Sequence, residues 1–279
     1  MTTLALLNEL MQQTPRAAEH AEMVDHMLEL VHWVMFVLFV GWSFFLTYTI
    51  WTHRFSKKPK ADYHGVRNHA STHIEVGVII VEAILLLGFA FPLWAARSEK
   101  YPTDKDVVKI RAVAEKFKWT FHYAGKDGAL GQINPKLISS TNPIGRDPKD
   151  PNGADDFLSP GTLKLPKGRN VIIEIRSKDV IHNLALVPMR MAQDATPGVV
   201  AHVWFKPIKT GSWDIICGQL CGPGHANMRA SLEVLDEKEF DAWFKESSPT
   251  PAAPAAATPP STPSPAPPAP ATPENAPKK

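Results

Sequence analysis

The chain has 279 residues, 44% of them hydrophobic, and its 30 Lys and Arg against 28 Asp and Glu give a formal net charge of +2. That length allows one or two folded domains, and the near balance of charge offers no strongly basic field to recruit nucleic acid. The averages conceal three compositions, because much of the apolar content sits before residue 97 and 12 of the 26 prolines follow residue 247.

Residues 1–30 carry Arg16 against Glu9, Glu19, Glu22, Asp25 and Glu29, and form a mixed N-terminal segment. Residues 31–51, "VHWVMFVLFVGWSFFLTYTIW", contain no formal charge. At about 1.5 Å per residue this stretch is long enough to cross a hydrocarbon core of about 30 Å. Residues 76–96, "VGVIIVEAILLLGFAFPLWAA", have the same length and one charge, Glu82. Both read as transmembrane helices, since no other segment is apolar enough to surround them as core helices. A cleaved signal peptide fits the first poorly, given the mixed residues before it and the length of its apolar run. The connection 52–75 carries Arg54, Lys57, Lys58, Lys60 and Arg67 against Asp62 and Glu75, so it is expected in the cytoplasm. Both termini, and everything after residue 96, then lie on the extracytoplasmic face, which in a bacterium is the periplasm or cell exterior.

Residues 97–247 change to short β-rich runs: "DVVKIRAVA", "KWTFHY", "GTLKLP", "NVIIEIRS", "HNLALVP", "VVAHVWFKP", "GSWDIIC" and "ASLEVL". Gly, Pro, Asn and Asp punctuate them at intervals that suit an all-β sandwich or barrel. "DEKEFDAWFKES" predicts a closing helix, and the polar stretch 125–160 an extended surface loop. Residues 248–279 are a Pro/Ala-rich tail with nothing to bury, expected to be extended and disordered.

The chemistry is concentrated in "DIICGQLCGPGHANMRA", residues 214–230, which holds both cysteines of the chain, Cys217 and Cys221. Cys-x3-Cys alone leaves a disulfide, a redox catalyst and a metal site open. His225 and Met228 extend it to Cys-x3-Cys-x3-His-x2-Met, and thiolate, imidazole and thioether together are a soft donor set that suits copper. Gly218, Gly222, Pro223 and Gly224 disfavour a helix, so the ligands are expected on a loop between two strands. A single blue-type copper uses one Cys, whereas two thiolates can bridge two metals, which then requires a second His. His182 is a candidate at the end of a predicted strand, with His122 and His202 as rivals.

"DVIHN" followed by "CGQLCGPGHANM", behind two transmembrane helices and with "KWTFHY" at the start of the β domain, resembles subunit II of the haem-copper cytochrome c oxidases over about residues 25–247. The resemblance implies a membrane-anchored all-β protein: an N-terminal two-helix hairpin followed by a cupredoxin-like Greek-key β-barrel with a dinuclear copper centre, CuA. By position, Cys217 and Cys221 would bridge two copper ions, His182 and His225 would be terminal imidazoles, Met228 a weak ligand, and Gln219 a backbone-carbonyl ligand. The implied role is to take electrons from a separate c-type cytochrome and pass them to haem in subunit I, where O₂ is reduced to water with coupled proton translocation. Subunits I and III are the implied partners, and with two cysteines there is no CxxCH haem motif.

The chain departs from the family in three places. The family's Glu between the cysteines, which helps hold Mg²⁺ at the boundary with subunit I, is Gln219 here, a weaker ligand for a hard cation. The first Trp of the family's aromatic run, its expected point of electron uptake, is Phe117, leaving Trp119 as the aromatic candidate. Glu75 matches the glutamate that opens a proton-uptake path, but the Trp-Thr that follows in relatives is missing. Glu82 stands where Pro is expected, and a carboxyl inside a membrane helix is costly unless it pairs or takes up a proton. From residue 97 to 247 there are 22 basic and 19 acidic residues, so no general acidic bias steers a basic donor. Competing readings are a copper-free quinol-oxidase subunit, which the five side-chain ligand positions oppose, the copper subunit of a nitric oxide reductase, and a membrane-anchored copper chaperone or thiol reductant.

Overall fold

The computed structural model describes residues 14–60, 63–64, 69–98 and 100–249. The expectations for residues 1–13, for Asp62 and Arg67 in the basic connection, and for the tail beyond Pro249 lie outside these residues.

Helix α1 spans Ala21–His53 and α2 spans Ala70–Ser98. Their apolar side chains, among them Phe36, Phe39, Phe44, Ile79, Leu87 and Trp94, face outward, as side chains must when lipid or a partner replaces water. Within α2 the turn Leu86–Ala90 is a π-helix, followed directly by Phe91 and Pro92. Proline lacks the N–H for the i−4 bond and its ring crowds that carbonyl, so a widened turn ahead of it keeps the helix continuous. At 33 residues α1 is about 50 Å long, well beyond a hydrocarbon core of about 30 Å. The surplus lies at its N-terminal end, where Ala21 and Asp25 are buried against the β domain.

The β domain consists of β1 (Val108–Glu115), β2 (Lys118–Tyr123), β3 (Phe157–Pro160), β4 (Thr162–Pro166), β5 (Val171–Ser177), β6 (His182–Leu186), β7 (Met191–Ala195), β8 (Ala201–Phe205), β9 (Gly211–Cys217) and β10 (Arg229–Leu235). They form two five-stranded sheets, ordered β3-β2-β1-β5-β8 and β4-β10-β9-β6-β7. Most neighbours are antiparallel, with β1–β5 and β4–β10 parallel, so the chain crosses between sheets as a cupredoxin-like barrel requires. The alternation read in the sequence becomes the core: Ile110, Phe121, Leu163, Ile173, Leu184, Ile215 and Leu232 point inward and are buried.

Helix α3 (Glu237–Ser247) closes one end. Its Phe240, Trp243 and Phe244 join Tyr123 and Phe157 in an aromatic cluster with ring centroids 5.0–5.7 Å apart. The Tyr123 hydroxyl donates to the Lys164 carbonyl at 2.9 Å and accepts from the Lys164 amide at 2.8 Å, joining β2 to β4 across the two sheets. Burial holds this phenol well above its ordinary pKa, in spite of the bond to Lys164.

Two parts differ from the expectation. The stretch 125–160 is not uniformly irregular: its last residues form β3, and its body is pinned over the outer face of β1 and β2. There Arg111 bonds Glu174 at 2.6 Å, the Gly131 carbonyl at 2.8 Å and His122 Nδ1 at 3.0 Å. His122 Nε2 lies 2.7 Å from Asp156, which also accepts the Gly125 and Gly131 amides. Burial, reinforced by Arg111 and Arg146 and opposed by Asp156, holds His122 below its ordinary pKa. Since Nδ1 accepts from Arg111, the ring is neutral with its proton on Nε2. For Asp156, burial acts to raise the pKa, but the bonds from His122 and the two amides outweigh it and the carboxyl titrates low.

Secondly, residues 14–25, read from the sequence only as part of a mixed N-terminal segment, join the β domain's packing. Ala17 N–H donates to the Pro188 carbonyl, Ile208 N–H to Ala17 O and Glu19 N–H to Lys206 O, at 2.8–3.0 Å, while Ala17, Ala18 and Ala21 enter the core. Arg190, in the left-handed region at φ 51°, donates from Nε to Asp25 Oδ1 at 2.7 Å and from Nη2 to Oδ2 at 3.2 Å. At the C-terminal end of α2 the Arg97 guanidinium stacks on Trp204 of β8 and donates to its carbonyl. His20 sits in this junction, and burial together with Arg97 lowers its pKa to about 4. Both membrane helices are therefore anchored to the β domain, and residues 14–20 lie on the same side of the membrane as the barrel.

Candidate metal centre

The loop 218–228 leaves β9 at Cys217 and returns into β10 at Arg229. Two close approaches shape it. Gly218 donates its amide to Asn183 O at 3.1 Å, and a Cβ there would stand 2.6 Å from Asn183 Oδ1. Gly222, at φ 137°, and Gly224 lie beneath the Phe117 ring. The glycines break any helix, as the sequence implied, leaving one 3₁₀ turn at His225–Asn227. Met228 then returns to the ladder, accepting the Cys217 amide at 3.3 Å.

β6 and β9 are antiparallel with Leu184 opposite Cys217. The period of two puts His182 on the same inward face as Leu184, so the ring meets the thiol. His182 is the first residue of β6, at the end of the strand read from the sequence, and its side chain is fully buried. Its Nδ1 faces Cys217 Sγ at 3.9 Å, and the Cys217 and Cys221 sulfurs are 3.8 Å apart as free thiols. Cys221 Sγ lies 3.7 Å from both His225 Nδ1 and Met228 Sδ, and Cys217 Sγ is 3.2 Å from the Gln219 carbonyl oxygen. One ligand atom from each of His182, Cys217 and Cys221 falls within 4.8 Å of the others.

These separations test whether a metal fits. Two ligands held about 2.0–2.3 Å from one soft ion in tetrahedral geometry stand about 3.5 Å apart. Each sulfur has neighbouring donors at 3.2–3.9 Å, close to that spacing, and the two sulfurs share the middle of the group. Burial, and then the neighbouring Cys217, push the Cys221 thiol above its ordinary pKa, so a cation has to displace protons to bind. Thiolate, imidazole, thioether and carbonyl donors grouped around two buried sulfurs form a soft set that suits copper.

The rival histidines are elsewhere. His122 is committed to Arg111 and Asp156 on the outer face of its sheet, and His202 is exposed on β8. Trp119 is 1% exposed, with its ring centroid 6.2 Å from that of His182. Phe117 is half-buried on the loop glycines, while Leu220, between the cysteines, is 81% exposed. Glu75 and Glu82 lie on α2, two turns apart on one outward face.

Residues 108–235 match the family described as cytochrome c oxidase subunit II, periplasmic domain. The alternative cytochrome c oxidase subunit 2 of Bradyrhizobium diazoefficiens is 30% identical over 225 residues, covering 80% of this chain and 79% of its own. The chain belongs to the cytochrome c oxidase subunit II family. Another family member, cytochrome c oxidase subunit 2 of Cereibacter sphaeroides, is 23% identical over 259 residues, 82% of each chain. Among solved structures, the periplasmic domain of subunit II of cytochrome oxidase from Bradyrhizobium japonicum is 24% identical and covers 53% of this chain and 96% of that one, with a TM-score of 0.39. Proteins of this family are subunits of an oxidoreductase complex, and the two apolar helices give this subunit II a membrane anchor.

Sequence reasoning passed over Asp179. Its Oδ1 lies 2.8 Å from His182 Nε2 and accepts the Val180 amide at 2.7 Å, and its Oδ2 accepts the Lys116 amide at 2.8 Å. Burial acts to raise its pKa, but the bonds from His182 and the two amides outweigh that and hold the carboxyl low. The signal was present as Asp-x2-His in "DVIHN", one spacing that lets a turn residue reach the ring of a strand's first histidine.

Proposed function

We propose that this chain is the electron-uptake subunit of a terminal respiratory oxidase and that its β domain holds two copper ions in a CuA-type centre. The observation that carries this reading is the convergence on two buried free thiols of two imidazole Nδ1 atoms, a thioether and a carbonyl, within 3.2–3.9 Å steps. Cys217 and Cys221 would hold the ions through their thiolates, His182 and His225 through their imidazoles, and Met228 and the Gln219 carbonyl would be weak ligands. When bound, the copper pair supplies a one-electron store in which the charge change is shared by two ions.

The protein's own residues set the conditions for that store. β6 and β9 fix His182 and Cys217 at strand ends, and the loop between β9 and β10 carries Gln219, Cys221, His225 and Met228. Phe117 lies over Gly222 and Gly224 and covers one side of the loop, and Trp119 fills the space behind His182. Because Trp119 is buried, a donor protein first meets the loop rim, where Phe117 and Leu220 are accessible, and Trp119 acts as packing or relay behind it. The donor in this reading is a separate c-type cytochrome on the extracytoplasmic face, and the acceptor is haem in subunit I, where O₂ is reduced to water with coupled proton translocation. Glu75 is the proposed proton-uptake residue at the cytoplasmic end of α2, with Glu82 further along the same face.

The test is to purify the full chain in detergent, load it with copper, count the metal and record its electron spin resonance. Two coppers per chain with a delocalised mixed-valence signal support the reading. One copper per chain, or a Cys217–Cys221 disulfide with none, refutes it.

A further inference from the structure

Asp179 touches two separate parts of the centre. Oδ1 faces Nε2 of the buried His182, whose Nδ1 faces Cys217, while Oδ2 accepts the amide of Lys116 in the β1–β2 hairpin. Lys116 precedes Phe117, whose ring lies over Gly222 and Gly224 in the ligand loop. One carboxylate thus holds the imidazole on one side and, through the hairpin, the aromatic cover on the other.

We propose that Asp179 is a positioning residue of the metal centre, an inference that rests on the copper reading above. An imidazole that presents Nδ1 to a metal carries its proton on Nε2. A carboxylate acceptor there fixes both tautomer and ring orientation and increases electron donation to the metal. Greater donation favours the oxidised state, so the charge on Asp179 holds the reduction potential down. The His182 side chain has no solvent exposure and Asp179 is 31% exposed, so this carboxylate is where the ring's polar edge meets the surface. A role confined to closing the hairpin would act differently: it would lower the melting temperature with and without copper alike and leave the potential unchanged. Asparagine separates the two roles, since a neutral amide with one oxygen keeps the size while removing the charge and part of the acceptor capacity.

The experiment compares the full-length wild-type chain with Asp179→Asn and Asp179→Glu, each loaded with copper in detergent. Copper retention is measured against the copper(I) chelator bathocuproine disulfonate, the midpoint potential by spectroelectrochemical titration, and folding by far-ultraviolet circular dichroism. Asp179→Asn is expected to release copper about 10- to 100-fold more readily and to raise the potential by about 59 mV, a tenfold shift for one electron. Asp179→Glu, which keeps the charge on a longer arm, is expected to move both quantities in the same direction by less. It also keeps the question open to test if Asp179→Asn fails to fold. Wild-type copper retention and potential in Asp179→Asn overturn the inference while leaving the copper reading intact. Equal shifts in the two variants, or wild-type values in Asp179→Glu when Asp179→Asn does not fold, overturn it likewise. A wild-type chain that takes up no copper overturns both.

Discussion

Gly224→Ala tests whether Phe117 is a tight cover on the ligand loop. Gly224 has an ordinary backbone, φ −91°, so alanine brings no torsional strain. The new methyl would stand 2.3 Å from Phe117 Cδ2 and 2.6 Å from Cγ and Cε2. Carbon atoms in contact prefer about 3.5–4.0 Å, so the ring or the loop has to move by about 1 Å. Overpacking of this kind costs about 1–3 kcal/mol. The loop carries Cys221 and His225 on either side of the contact, so the strain should reach the metal site as well as the fold. We expect Gly224→Ala to lower the melting temperature of the copper-loaded full chain and to broaden its copper spectrum. Phe117→Ala should remove the clash, giving the double variant a coupling energy of about 0.5–3 kcal/mol in a double-mutant cycle. Wild-type stability in Gly224→Ala, or the same penalty in the Phe117→Ala background, would refute the reasoning.

Met228→Leu, close in volume at a buried position, should keep two coppers per chain while changing the reduction potential; loss of a copper would make the thioether a principal ligand instead. Asp25→Ala should cost about 3–5 kcal/mol, because it removes the carboxylate from a pair whose side chains are 3% and 10% exposed and leaves the Arg190 charge on the neutral oxygens of Thr14 and Val187; a change below about 1 kcal/mol in denaturant unfolding would show that this pair is no anchor. Acidification should destabilise the chain beginning near pH 6.5. His122 and His20 have folded pKa values below their unfolded ones, so their unfolded forms bind protons first and stability falls with pH, continuing for His20 towards about pH 4. Melting curves that coincide at pH 7 and pH 5, or a slope unaltered in His20→Asn and His122→Asn variants, would contradict this.

The strands were legible where apolar residues alternate, as in "NVIIEIRS", because period two directly reports which side chains can be buried. "MAQDA", which forms β7, was missed because it holds no β-branched or aromatic residue; its pairing with β6 supplies what its composition does not. The two membrane helices announced themselves by length and lack of charge, but the extra turns of α1 did not. Residues 14–25 contribute alanines and one aspartate to the packing, and nothing in their pattern distinguishes them from a solvated lead-in. Arg111 and His122 occupy outward positions of their strands, and only the covering loop turns them into buried groups.

By itself the sequence determined the class of the chain and the donor types of its candidate centre. Two cysteines, a histidine and a methionine within twelve residues, among helix-breaking glycines, place four soft donors on one loop, because residue type and spacing are local properties. Tertiary structure decided which distant residues complete the site. The choice of His182 over His122 and His202 depends on the β6–β9 register, and the place of Asp179 depends on a hairpin more than sixty residues away in the chain. Donor types and short spacings are local and can be read along the chain, whereas which distant segments meet at the site is decided by strand pairing.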